Sequence, residues 1–317
     1  MGEPLLLDAR QTAAKLPFPE LVAALQRGFA KGCQTPARHH HTLRSEGEPD
    51  GTLLLMPAWS NADDEDHFLG VKLVTIMPGN MNRRLPAVVS TYMLYDAITG
   101  EQLALMDGNT LTSRRTVATS ALGAKYLSRE DASSLVIIGA GRVGSLIADA
   151  YSAVRRLRRI VIWDINPEQA DRLASSLRDQ GLPAKSTTDI KTAIESADIV
   201  SAATLATAPI IRGEWLKPGT HVDLIGAFTP EMREADDEVM RRSSIYVDTA
   251  VALEEAGELI KPLAEGVIGK NAILGTLTDL CRKDEFARAN ADQITCFKSV
   301  GSGLADLTAA QLVYRRI

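Results

Sequence analysis

The sequence predicts an α/β protein with two parts: a doubly wound parallel sheet and, before it, a smaller α/β domain built on a mainly antiparallel sheet. From Ser134 onward, short β-branched runs alternate with helix-length segments: SLVIIGAG (134–141), RIVIWDIN (159–166), ADIVSAAT (197–204), HVDLIGA (221–227) and SIYVDT (244–249). That rhythm is the order of a parallel sheet with helices on both faces. The runs are continuously apolar, as strands covered on both sides are. The region before about residue 125 reads differently, with strand-like GTLLLMPAW (51–59), FLGVKLVTIM (68–77) and AVVSTYMLYDAITGEQLALMDG (87–108) joined by Asp/Gly turns.

Helices fill the gaps. LPFPELVAALQRGF (16–29) and a segment from about Leu111 to Leu127 are helix-like, and Asn166-Pro167 supplies a cap and a first-turn proline before EQADRLASSLRDQ. The tail, with Leu304, Leu307, Leu312 and Val313, reads as a terminal helix able to return to the first domain. Two domains suit 317 residues. With 35 Lys+Arg against 40 Asp+Glu and no long basic tract, nucleic acid is a poor partner. No run approaches the roughly 18–20 apolar residues of a bilayer span, and Met1–Arg10 lacks the pattern of a secretion signal, so a cytoplasmic protein is expected. Cys33, Cys281 and Cys296 form no CxxC and read as reduced thiols.

Gly139-Ala-Gly141-Arg142-Val143-Gly144 fits G-x-G-x-x-G, directly after the strand Leu135–Ile138 and at the opening of SLIADAYSAV. There the first glycine makes the tight turn, the second admits a pyrophosphate to the backbone, and the third allows close helix–strand packing. The next strand ends in Asp164, where a carboxylate can accept hydrogen bonds from an adenosine ribose. This is the Rossmann dinucleotide pattern. A carboxylate repels a 2′-phosphate and Ile165-Asn166 brings no cation, so NAD(H) is favoured over NADP(H).

Candidate substrate residues are cations. Lys72 sits inside an apolar strand, where an ammonium is costly unless it deprotonates or meets an anion such as a substrate carboxylate. Arg114 and Arg115 lie near a helix start, where a guanidinium gives a planar grip on a carboxylate. They project about 100° apart, and the residues alone do not choose between them. No metal site is expected. His39-His40-His41 on a strand would point to alternating faces, and NADDEDH (61–67) reads as a solvated loop. Hydrolase and kinase signatures are absent.

Over nearly its whole length the sequence resembles the ornithine cyclodeaminase/mu-crystallin family. The resemblance is carried by Pro36-Ala-Arg38, Leu55-Met-Pro-Ala, Gly70-Val-Lys72, Leu94-Tyr-Asp-Ala-Ile-Thr-Gly100, Leu111-Thr-Ser-Arg-Arg115-Thr, the glycine turn, and Lys298-Ser-Val-Gly-Ser-Gly-Leu-Ala-Asp306. It implies a homodimer in which residues 1–125, completed by the helix 303–317, bind substrate and dimerise, while 126–302 bind the cofactor. It implies that Arg38, Lys72 and Arg115 grip the carboxylate of a small amino or imino acid, with Lys72 and Arg115 catalytic, and that Phe228 and Val300 border the substrate. For the cofactor it points to Arg142, Val143, Asp164, Thr204, Ile225, Gly226, Ala227 and Ser299 beside the glycines.

Two positions depart from true cyclodeaminases. Phe228 stands where those enzymes carry a catalytic aspartate, and Ala87 where they carry a threonine. A phenylalanine can be neither acid nor base. The expected activity is therefore hydride transfer to the C=N of a small cyclic imino acid such as Δ1-pyrroline-2-carboxylate, or the reverse dehydrogenation. The alternatives are ornithine cyclodeamination and a crystallin-like protein that binds ligand without turnover.

Overall fold

A computed structural model describes residues 3–317. The chain divides into two compact units: one runs to Arg115 and is completed by Ser302–Ile317, and the other is Thr116–Gly301. Sequence rhythm had placed the change near residue 125. The division instead falls inside a single helix, which carries no turn signal at that point.

In the first unit the strands are β1 (Leu5–Leu7), β2 (His39–Leu43), β3 (Gly51–Trp59), β4 (Phe68–Ile76), β5 (Val88–Asp96) and β6 (Gln102–Asp107). They form one sheet in the order β1-β6-β5-β4-β3-β2, antiparallel except for the β1–β6 pair. Side chains alternate across this sheet. Phe68, Gly70, Lys72 and Val74 of β4 share the inner face with Met56 and Ala58 of β3 and Tyr92 and Leu94 of β5. The helices are α1 (Ala9–Ala14), α2 (Phe18–Lys31), the start of α3 (Gly108–Leu127) and the C-terminal helix (Gly303–Arg315). α2 buries Leu21, Leu25 and Phe29, one helical turn apart. The C-terminal helix packs on β3, β4 and α2, so the tail does belong to this unit.

The second unit holds β7 (Ser134–Ile138), β8 (Arg159–Trp163), β9 (Ala184–Ser186), β10 (Ile199–Ala202), β11 (His221–Leu224), β12 (Ser243–Val247), β13 (Ile273–Thr276) and β14 (Ile294–Lys298). All are parallel, in the order β13-β12-β14-β11-β10-β7-β8-β9. This is a Rossmann-type doubly wound sheet, with the strand order reversing between β7 and β10. Val136, Val161, Val200, Val222 and Ile245 are buried, as expected of strands in a covered sheet. Among the helices, Asn166 caps Pro167–Asp179 through its side chain. The sequence reading missed the short strands β9 and β13. It also missed the central β14, whose run ITCFK is brief and ends in a lysine.

Candidate functional site

Within the first unit a buried ion cluster forms where β4, α3 and the C-terminal helix meet. Lys72 lies directly opposite Met56 and Tyr92 on the neighbouring strands, so its side chain is committed to the inner face, and only 3% of it is exposed. Arg115 is 5% exposed. Between them stands Asp306, fully buried: its Oδ2 is 2.7 Å from Lys72 Nζ, and its Oδ1 accepts a 2.7 Å hydrogen bond from Arg115 Nε. Asp306 sits in the first turn of the C-terminal helix, where the helix dipole also favours a negative charge. Ser302 caps that turn by accepting from the Ala305 N–H.

Burial pushes the Lys72 ammonium down to about 8; Asp306 opposes that fall while Arg115 and Arg38 add to it. Burial alone would raise the Asp306 carboxyl, but Arg115 and Lys72 hold it below the ordinary carboxylate range. The structure thus brings two of the cations named from the sequence, Lys72 and Arg115, onto one carboxylate; the third, Arg38, is half-buried, and its charge adds to the lowering of Lys72. It also separates the two neighbouring arginines. Arg114 donates to the Leu16 carbonyl through Nε and Nη2 and stacks on Phe18, a structural task, while Arg115 faces the carboxylate. Tyr92 fills the space above Gly70, where any Cβ would collide with its hydroxyl.

In the second unit the nucleotide-type elements surround the switch point. Gly139 has φ +96°, and a Cβ there would meet the Ala203 carbonyl of the neighbouring loop at 2.7 Å. A Cβ on Gly144 would lie 1.8 Å from the Gly139 oxygen, so the turn cannot close with any other residue. Gly141 faces open space. Asp164 accepts from the N–H of Ala140 and of Asn166, which pins the end of β8 to the glycine turn. Arg142 is exposed and Val143 half-buried in the turn itself.

The other expected residues follow β10, β11 and β14. Thr204 follows β10; Ile225, Gly226 and Ala227 are buried in the loop after β11, and Phe228 beyond them is 44% exposed. Ser299 donates its N–H to the Leu224 carbonyl, and Val300 and Gly301 both donate to Asp248 Oδ2. Sequence reasoning gave no role to Asp306, Glu234, Glu258, Lys298 or Asp248, all buried. Asp306 did leave a signal, as an acid in the first turn of an otherwise apolar helix. Among the described residues there is no cluster able to hold a metal ion, and no helix long and apolar enough to cross a membrane. All three histidines of β2 are exposed, and the three cysteines are free thiols.

Fold and site together define a nucleotide-type α/β protein with a separate cation-rich unit. The model of the ornithine cyclodeaminase/mu-crystallin family matches residues 5–317, and the chain belongs to that family. It is 34% identical to the ketimine reductase mu-crystallin of Rattus norvegicus, over 95% of this chain and 92% of that protein. Among solved structures, it is similar to Δ1-pyrroline-2-carboxylate reductase from Thermococcus litoralis in complex with NADH and L-proline, at 33% identity and TM-score 0.90, covering 98% of this chain and 97% of the other. An archaeal alanine dehydrogenase dimer with bound NAD is also similar, at 28% identity and TM-score 0.88, with 98% and 95% covered.

Proposed function

We propose that this protein is an NAD(H)-dependent reductase of small cyclic imino acids such as Δ1-pyrroline-2-carboxylate, acting as a cytoplasmic homodimer and able to run the reverse dehydrogenation. The observation that carries this reading is the pair of buried cations, Lys72 and Arg115, gathered on the buried carboxylate of Asp306, with the half-buried Arg38 adding its charge to theirs. Burying cationic groups is expensive unless anions reach them. A substrate carboxylate is such an anion. The similar proteins with known ligands, bound to NADH with proline and to NAD, support the same substrate class and a nicotinamide cofactor.

The second unit fits a dinucleotide. Gly141 offers open backbone for a pyrophosphate, and Gly139 and Gly144 make the turn. Asp164 suits a free ribose 2′-hydroxyl better than a 2′-phosphate; Ile165 beside it is 89% exposed and uncharged, and this favours NAD(H). When bound, the nicotinamide ring supplies the hydride for C=N reduction, or accepts it in the reverse direction.

The chain's own residues do the rest. Arg115, positioned by its Nε contact to Asp306, and Arg38 hold the carboxylate and orient the imine carbon. Lys72 keeps its proton at neutral pH and can pass it to the ring nitrogen as the carbon is reduced. Phe228 stands where a cyclodeaminase carries an acid and can be neither acid nor base, which counts against ornithine cyclisation. A crystallin-like protein without turnover gives no reason to bury such a cluster. Dimerisation is supported by the sheet face opposite Lys72, where Leu53, Leu55, Val71, Leu73, Met93 and Leu105 form a half-buried apolar surface.

The test is NADH consumption against a panel of cyclic imino acids, and 2-oxo acids with amines, with ornithine plus NAD run alongside. Oxidation of NADH by Δ1-pyrroline-2-carboxylate or its six-membered homologue, with no proline formed from ornithine, is expected. Proline and ammonia from ornithine at a comparable rate would replace the reductase reading with the cyclodeaminase one.

A further inference from the structure

Beneath the ends of β10, β11 and β14 lies a buried charged network that the reduction itself does not use. Glu234, in the segment between β11 and the helix Asp237–Arg242, is fully buried. Its Oε1 accepts from the Thr204 N–H at 2.6 Å and from the Thr204 hydroxyl at 2.9 Å, and its Oε2 accepts from the Gly226 N–H at 2.7 Å. One carboxylate therefore ties the loop after β10 to the loop after β11. Gly226 makes the close approach possible, because a Cβ there would lie 2.0 Å from the Thr204 carbonyl oxygen and 2.4 Å from Glu234 Oε1.

Glu234 is itself held on every side. Its carbonyl accepts from the N–H groups of Ile210 and Ile211, and its own N–H donates to Glu258 Oε1. Glu258, also fully buried, has Oε2 3.8 Å from Lys298 Nζ, and Lys298 donates to the Leu224 carbonyl at the end of β11. The Leu224 carbonyl also accepts from the Ser299 N–H. Thr204, Gly226 and Ser299, which lie on three separate loops, thus hang on one connected network. Burial pushes the Glu234 carboxyl up to about 7, with Lys298 drawing it down and Glu258 pushing it further up. Holding such a group in the interior costs stability, and its ionised form is the one that accepts three hydrogen bonds at once.

We infer that Glu234 is a positioning residue for the nicotinamide half of the dinucleotide: it touches no ligand but fixes the Thr204 and Gly226 loops in the conformation that receives it. The placement follows from topology. The glycine turn after β7 and Asp164 after β8 lie on one side of the strand-order reversal and take the pyrophosphate and adenosine, while the loops after β10 and β11 lie on the other. The inference rests on the dinucleotide reading above.

The test compares NADH with ADP-ribose, which lacks the nicotinamide, in direct binding titrations of the full-length wild type and of Glu234→Gln. In the variant the amide group must face one of the three donors, so a hydrogen bond to a charged group is lost. The expected result is an NADH Kd raised about tenfold or more, an ADP-ribose Kd within about twofold of wild type, and a KM for NADH that rises more than kcat falls. Equal NADH affinity in the two proteins, or equal weakening for both ligands, overturns the inference and leaves the dinucleotide reading standing. A wild type that binds neither ligand overturns both. Should the variant not fold, hydrogen exchange on the wild type decides: NADH, but not ADP-ribose, is expected to slow exchange of the Thr204 and Gly226 amides, and equal slowing by the two ligands overturns the inference.

Discussion

Replacing Asp306 with Asn probes the ion cluster most severely, because it removes the anion that bridges two buried cations and leaves the shape intact. Lys72 Nζ and Arg115 Nε each lie 2.7 Å from the carboxylate. At an effective dielectric of about 20, each contact carries on the order of 6 kcal/mol of Coulomb attraction. Most of that offsets the lost hydration of the ions, and breaking buried pairs in this way costs about 3–5 kcal/mol in practice. The thermal unfolding midpoint of Asp306→Asn should accordingly fall by roughly 5–8 °C.

The same change removes the main influence holding the Lys72 ammonium up against burial and Arg115. In the reductive direction kcat/KM reports the free enzyme, and it should fall as pH rises through about 8 in the wild type, where Lys72 loses its proton. In Asp306→Asn that limb should move to lower pH by about 1–3. The assay is NADH oxidation with Δ1-pyrroline-2-carboxylate across the pH range, paired with thermal unfolding. A variant with the wild-type limb and the wild-type midpoint would refute the assignment of Asp306 as the counter-ion of Lys72.

Four further outcomes are expected. Lys72→Met should abolish imine reduction while NADH binding, measured by titration, stays within about twofold; full retained activity would remove Lys72 from the proton transfer. The pair Asp164→Ser and Ile165→Arg should shift the ratio of kcat/KM for NADPH over NADH upward by at least about tenfold, since a repelling carboxylate is replaced by an attracting cation. Gly144→Ala places a methyl 1.8 Å from the Gly139 carbonyl oxygen, so either the turn opens or the fold loses at least about 1–3 kcal/mol, read as lost NADH binding or a lower unfolding midpoint. Tyr92→Phe deletes a buried hydroxyl with no hydrogen-bond partner among the described residues, and stability should hold or rise, by about 1 kcal/mol, in denaturant unfolding.

The parallel sheet was readable because its strands are long in apolar, β-branched residues and its first turn carries three glycines with distinct steric tasks. β14 escaped because a five-residue strand ending in lysine looks like a loop until one sees that Lys298 is buried against Glu258. Lys72 was visible from the anomaly of a charge in an apolar strand, whereas Arg115 was singled out from Arg114 by the family resemblance. Their partner was not, because Asp306 is 191 residues from Arg115, and pairings over such separations leave no local spacing to read. Helix phase, a tertiary property, sends Arg114 to the Leu16 carbonyl and Arg115 to Asp306. Glu234 was illegible for the same reason: its partners come from two other loops and a helix.

The most direct test of the central claim is the dependence of turnover on the substrate carboxylate. With NADH saturating, kcat/KM for Δ1-pyrroline-2-carboxylate should exceed that for Δ1-pyrroline, the same ring without the carboxylate, by about a thousandfold or more, as expected where buried charged groups lose their ligand. Values within about tenfold of each other would mean that Arg38, Lys72 and Arg115 do not grip a carboxylate during the reaction.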